Sequence, residues 1–259
     1  MSSDQPTPDS LPPLPEMTQQ WQDTLGWQPS AAQQAQFEQL YQTIVTTNKF
    51  LNLTRITEPT EFWEKHLWDS LRGIQAWLGQ DEPSSDDDSE EAFSLVDIGT
   101  GAGFPGMPIA IVKPNWELTL VDSTRKKVKF VQQTADDMGL SRVTGLSDRA
   151  EQLGHSKYYR AQYNLATIRA VAGLSICAEY VLPLLKIGGT AILYRGQWND
   201  EDIQACEGAV VKLGGKLDRV ELFETPLSKG MRACAYITKV AKTAADYPRA
   251  IGVPTQSPL

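Results

Sequence analysis

With three cysteines, two histidines and no apolar run approaching a membrane span, this chain of 259 residues rules out several classes of protein before any motif is read. Cys177, Cys206 and Cys234 are odd in number, widely separated and free of C-x-x-C spacing, so neither a disulfide framework nor a thiolate metal site is expected. His66 and His155 have no ligand-like neighbours, and no metal is expected there. A membrane helix needs roughly 18 apolar residues in a row, and a secretory leader needs an apolar core behind a basic start. Residues 1–16 are instead polar and carry five prolines, so the sequence predicts a soluble, cytoplasmic protein without a membrane partner.

Positive charge is scarce as well, with 24 lysines and arginines against 32 acids and a net charge of −8. Spread evenly, that balance would argue against a nucleic-acid partner. It is not even: residues 80–91 hold seven acids and no base, which leaves a net charge of −1 over the rest. That segment reads as a solvated acidic loop. Arg125, Lys126, Lys127 and Lys129 gather at one predicted helix start, and residues 226–249 carry five basic residues against one acid, so a local basic surface is compatible with the composition. A hydrophobic content of 41% suffices for one catalytic domain with additions.

Glycine is what the chain has in one informative place. Residues 94–106 read SLVDIGTGAGFPG, a short apolar run followed by Gly99, Gly101, Gly103 and Gly106. Strand, glycine-rich turn and helix follow, a turn that can lay backbone amides against a nucleotide-like ligand. Gly101, Gly103 and Gly106 satisfy the dinucleotide pattern G-x-G-x-x-G, while Asp97 extends the run to D-x-G-x-G-x-G, the form used for S-adenosylmethionine, and this second reading is preferred. Asp122, 23 residues beyond Gly99, ends the next strand, where a carboxylate can bond both ribose hydroxyls of an adenosine.

Along the chain, residues 1–30 are expected to be a disordered or weakly ordered extension, and residues 31–80 to be helices packed on the core, the second over 58–78. An acidic loop is expected over 81–92, a cofactor-binding domain over 93–240 and a tail over 241–259. Within the domain, strands near 95–99, 117–122, 143–147, 163–168 and 189–195 alternate with helices and predict a parallel sheet. The runs 216–223 and 232–240 are joined too tightly for a crossover helix and should pair antiparallel. A mainly parallel α/β sheet closed by an antiparallel strand pair, with N-terminal helices, is the Rossmann-like layout of class I methyltransferases. In His66-Leu67-Trp68-Asp69-Ser70, His66 and Ser70 lie at i and i+4, which predicts local hydrogen bonding and not a hydrolase triad.

The motifs together resemble the bacterial RsmG (GidB) family of 16S rRNA methyltransferases. They are Asn52-Leu53-Thr54, His66-x-x-Asp69-Ser70, the loop 97–108, Asp122-Ser123 with Lys126-Lys127, Ile168-Arg169-Ala170, Arg195-Gly196-Gln197, and the tail from Tyr247-Pro248-Arg249 to Leu259. Arg195 stands where the family usually has Lys, and the acidic loop is an insertion. The resemblance implies S-adenosylmethionine held by Gly99, Phe104, Asp122, Ser123, Thr124, Ala150, Glu151 and Arg169, and methyl transfer to N7 of a guanine. It implies 16S rRNA or a small ribosomal subunit particle as partner; separately, a monomer is expected. No Asn/Asp-Pro-Pro-Tyr motif follows the fourth strand and no Pro-Cys pair occurs, so the devices for exocyclic amines and pyrimidine C5 are missing. An NAD-binding oxidoreductase and a non-catalytic RNA-binding assembly factor are the alternative readings.

Overall fold

The computed structural model describes residues 11–80, 92–196 and 200–259; the segment 81–91, the core of the expected acidic loop, and Gln197 lie outside the described residues. A seven-stranded sheet forms the centre: β1 (Ser94–Ile98), β2 (Glu117–Asp122), β3 (Val143–Ser147), β4 (Tyr163–Arg169), β5 (Leu185–Arg195), β6 (Gly215–Glu224) and β7 (Met231–Lys239). Their order is β3-β2-β1-β4-β5-β7-β6, parallel except that β7 runs against both β5 and β6. The expected parallel sheet with an antiparallel closing pair is therefore what forms.

Because side chains alternate along a strand, both faces of this sheet must be covered by helices. Leu95, Leu165, Ile192, Tyr194 and Tyr236 point into one core. Val96, Ala166, Ala191, Leu193 and Ile237, one residue out of step, point into the other. The first core is roofed by α1 (Thr18–Leu25), α2 (Ala31–Leu51), α3 (Pro59–Phe62), α4 (Asp69–Gly73), α5 (Gly106–Val112) and α6 (Arg125–Asp137); the second lies under α7 (Ala150–Leu153), α8 (Leu174–Val181) and α9 (Asp200–Lys212). A final turn, α10 (Val253–Gln256), lies in the C-terminal segment. Among the described residues no helix is long and apolar enough to cross a membrane.

Two expectations are corrected here. Residues 1–10 lie outside the described residues, but 11–30 are not weakly ordered: Trp21 is fully buried, stacked on Phe37 at 6.2 Å and edge-on to Trp63 at 4.9 Å, and Trp68 Nε1 donates to Thr24 Oγ1 at 2.8 Å. Between Pro15 and Pro29 there is no proline, and there aromatic burial outweighs the entropy of ordering a short helix. The second correction concerns the single helix expected over 58–78, which is broken. Between α3 and α4 lies a π-helical turn, Trp63–Trp68, and a 3-10 turn, Gln75–Trp77, follows. The extra residue per turn lets the buried Glu64, His66 and Asp69 all reach partners on other parts of the chain, and π turns of this kind recur at functional sites. Helix α2 forms as expected, started by a capping box in which Ser30 and Gln33 bond each other's backbone, with Phe37, Leu40, Tyr41, Ile44 and Val45 inward.

Candidate active site

The carboxyl ends of β1, β2 and β4 meet where ligands bind in open α/β sheets. Asp97, fully buried at the end of β1, is the keystone of the glycine loop. Its Oδ1 accepts from Thr167 Oγ1 on β4 at 2.8 Å and its Oδ2 from the Gly106 amide at the start of α5 at 3.1 Å. Burial pushes its carboxyl up to about 6 against the pull of these hydrogen bonds. The loop spanned by this bracket turns through Gly99 (φ 73°), Gly101 (φ 59°) and Gly103 (φ 101°). A side chain at Gly99 would run into Val171 Cγ2, whereas a Cβ at Gly101 would meet nothing nearer than the Gly99 carbonyl at 3.9 Å. Gly101 thus faces open space.

Asp122, half-buried at the end of β2, is drawn to the same loop. Oδ2 accepts from the Gly101 amide at 3.1 Å and Oδ1 from the Thr124 amide at 2.8 Å. A carboxylate has about four acceptor positions, so roughly two remain for a ligand's hydroxyls. Ser123 and Thr124 are exposed beside it, and Thr124 opens α6, on which Arg125, Lys126 and Lys129 are exposed. The open approach at Gly101 and the spare acceptors on Asp122 fit an adenosine-containing cofactor.

Phe104 and Arg169 are brought together in one cluster with His66 and Asp69. The Phe104 ring is buried and stacks on the His66 imidazole at 4.2 Å and 5°, with Phe62 edge-on at 5.7 Å. The Arg169 guanidinium lies 5.5 Å from the Phe104 centroid; Nη1 donates to the Lys65 carbonyl at 2.9 Å and to Asp69 Oδ2 at 3.0 Å, and Nη2 sits 3.4 Å from His66 Nδ1. On its far side His66 Nε2 shares a hydrogen bond with Thr54 Oγ1 at 2.8 Å. Burial, and secondarily the Arg169 charge, push the imidazole down to about 3. Ser70 Oγ does make the expected local bond, to the His66 carbonyl at 2.5 Å. The tertiary role of Thr54, His66 and Asp69 in fixing Arg169 is what sequence reasoning missed. The available signal was their spacing: His66 and Asp69 at i and i+3 share a face, and that face needed a partner from elsewhere.

Ala150 and Glu151 follow β3 on the other side of the site. Glu151 is buried, and its Oε1 accepts from Tyr180 OH at 3.3 Å and from the Gly252 amide at 3.1 Å, so its carboxylate is committed to the C-terminal segment. That segment is strapped down by three more contacts. Arg160 donates to the carbonyls of Gly154, Thr243, Ala244 and Tyr247 at 2.6–3.0 Å. Arg249 grips the fully buried Glu179 at 2.7–3.2 Å, and His155 meets the Pro248 carbonyl at 2.5 Å.

This strand order with its one reversed strand, the Asp97-bracketed glycine loop after β1 and the acid ending β2 define a class I methyltransferase. The profile of rRNA small subunit methyltransferase G, GidB, matches residues 33–230, and the chain belongs to that family. Curated relatives named ribosomal RNA small subunit methyltransferase G include one from Trichormus variabilis, 53% identical over 95% of this chain and 98% of its own length. Others come from Nostoc punctiforme, 50% identical over 95% and 98%, and Synechococcus elongatus, 52% identical over 92% and 95%.

Proposed function

We propose that this protein transfers a methyl group from S-adenosylmethionine to N7 of a guanine in 16S rRNA, acting on a small ribosomal subunit particle as a cytoplasmic monomer. Membership of the family carries the rRNA methyltransferase part of this reading, and the relatives' names point to small-subunit rRNA. The loop at Gly99 would lie along the cofactor, Asp122 with Ser123 and Thr124 would take its ribose, and the backbone at Ala150 and Glu151 would border its base. When bound, S-adenosylmethionine supplies an electrophilic methyl on a sulfonium sulfur. Guanine N7 meets it with an in-plane lone pair and no proton to lose, so no base is required.

The side chains around Arg169 support that economy. His66 is neutral and hydrogen-bonded to Thr54, Arg169 Nη1 is engaged by the Lys65 carbonyl and Asp69, and both Asp97 oxygens are occupied. What remains is positioning: the Phe104, His66 and Asp69 brace holds Arg169 still at the end of β4, and orientation of this kind is worth roughly 7–11 kcal/mol of barrier. Two measurements test the reading. Calorimetry should show binding of S-adenosylhomocysteine and none of NAD; NAD binding would install the oxidoreductase instead. With subunits saturating, the single-turnover methylation rate should be nearly flat between about pH 6.5 and 9. A tenfold rise per pH unit, abolished by replacing one side chain, would establish a base and defeat the N7 mechanism.

A further inference from the structure

The last turn of α2 presents a large apolar side chain with nothing to cover it. Phe50 is 88% exposed, the most exposed of the large hydrophobic residues among those described, while the same helix buries Phe37, Leu40, Tyr41, Ile44 and Val45. Lys49 and Arg55 flank it, both exposed and neither in an ion pair among the described residues. The turn carrying them is rigid. Asn48 Oδ1 accepts from the Leu53 and Thr54 amides at 2.6 and 2.9 Å, Asn48 Nδ2 donates to the Thr54 carbonyl at 2.8 Å, and Thr54 Oγ1 accepts from the Ile56 amide at 3.0 Å.

That turn is also wired to the site, because the Thr54 hydroxyl bonds His66, and His66 stacks on Phe104 beside Arg169. The turn that follows Phe50 is therefore tied to the carboxyl end of the sheet. Helix α2 packs against α5 and α6, and α6 begins at the same end with Arg125, Lys126 and Lys129 exposed. An exposed aromatic beside a hydrogen-bonded turn, flanked by cations in no ion pair among the described residues, has the composition of a single-strand stacking platform.

On the rRNA reading above, we infer that Phe50 stacks a base next to the methylated guanine, with Lys49 and Arg55 on the adjoining phosphates. Charge complementarity selects the occupant: a protein partner would be held by apolar area, and Phe50 has no exposed apolar neighbour within its own turn, whereas a polyanion uses both cations. Base stacking on a single aromatic is worth about 1–3 kcal/mol, or roughly 5- to 150-fold in affinity.

The experiment compares full-length wild type, Phe50→Ala, Phe50→Leu, Phe50→Trp and the Lys49→Ala/Arg55→Ala pair, with small subunits lacking the modification as substrate. Phe50→Ala should raise KM for the subunits at least fivefold, leaving kcat and calorimetric affinity for S-adenosylhomocysteine within twofold, as expected for lost uniform binding. Phe50→Trp should restore KM and Phe50→Leu should not. The paired substitution should lower the slope of log KM against log salt by about 1.5. An active wild type whose KM is unmoved by both Phe50→Ala and Phe50→Leu overturns the platform alone. A wild type that binds S-adenosylhomocysteine yet methylates no subunit overturns the rRNA reading and the platform with it.

Discussion

Gly101 and His66 show at single positions how backbone and charge are fixed around this site. Gly101 combines a left-handed φ of 59° with empty space where a side chain would begin. Gly101→Val should leave a folded protein, destabilised by about 1–2 kcal/mol through backbone strain, that no longer binds S-adenosylhomocysteine in calorimetry. Unchanged affinity would remove the loop from the cofactor's path. His66 bears on stability through its proton. Held at about 3 when folded and near its ordinary 6.5 when unfolded, it contributes stability that is complete above pH 6.5 and drains away as pH falls toward 3. Asp97 works the other way, since its folded value of about 6 exceeds the ordinary 3.8, so its contribution is lost as pH rises through that window. The two oppose each other between about pH 4 and 6, and a comparison with His66→Asn separates them. The variant should be less stable than wild type at pH 7.5, and chemical denaturation should find the gap narrower by about 2 kcal/mol at pH 5. A gap independent of pH would mean that the imidazole is not held neutral.

At the level of elements, the strap from 241 to 259 depends on one ion pair more than on any apolar contact. Glu179 is fully buried on α8 and its carboxylate is met by the Arg249 amide, Nε and Nη2. Arg249→Ala leaves that charge buried without its guanidinium and should cost about 3–5 kcal/mol in urea melts. Replacing both residues, as Glu179→Leu with Arg249→Met, should recover most of the loss. A single-substitution cost below about 1 kcal/mol would show that the strap is held elsewhere. The elements themselves were legible in the sequence wherever a period was strong: the five parallel strands and the 31–51 helix emerge with bounds shifted by a few residues, most at β5, which begins at Leu185. The π turn was not legible, because its cause is tertiary: Glu64 receives the Leu227 and Ser228 amides, 163 and 164 residues away. For the same reason the glycine loop and Asp122 could be read from their spacing, while the bracing of Arg169 by His66 and Asp69 and the engagement of Glu151 by Gly252 could not.

For the whole molecule, the uneven charge is the governing fact. Seven acids in residues 80–91 account for nearly all the net −8, and a like-charged segment beside an RNA backbone would repel it. Replacing that stretch with a short linker should leave S-adenosylhomocysteine affinity intact and rRNA methylation equal or faster at low salt. A large loss of activity in a folded variant would assign the segment a role of its own. The C-terminal strap has a consequence in time as well as in space. Residues 243–252 supply the partners of Arg160, Glu179 and Glu151, groups that lie in or beside helices of the sheet's second face. A chain emerging from the ribosome can lay down its parallel strands in order, but two buried carboxylates wait for residues translated some 70 and 100 positions later. Until then that face is an acid-lined seam still open to water. The second face of the methyltransferase fold is thus sealed by residues 243–252, and a nascent chain paused before residue 243 should remain open to protease along α7 and α8 while the strands before them are already protected.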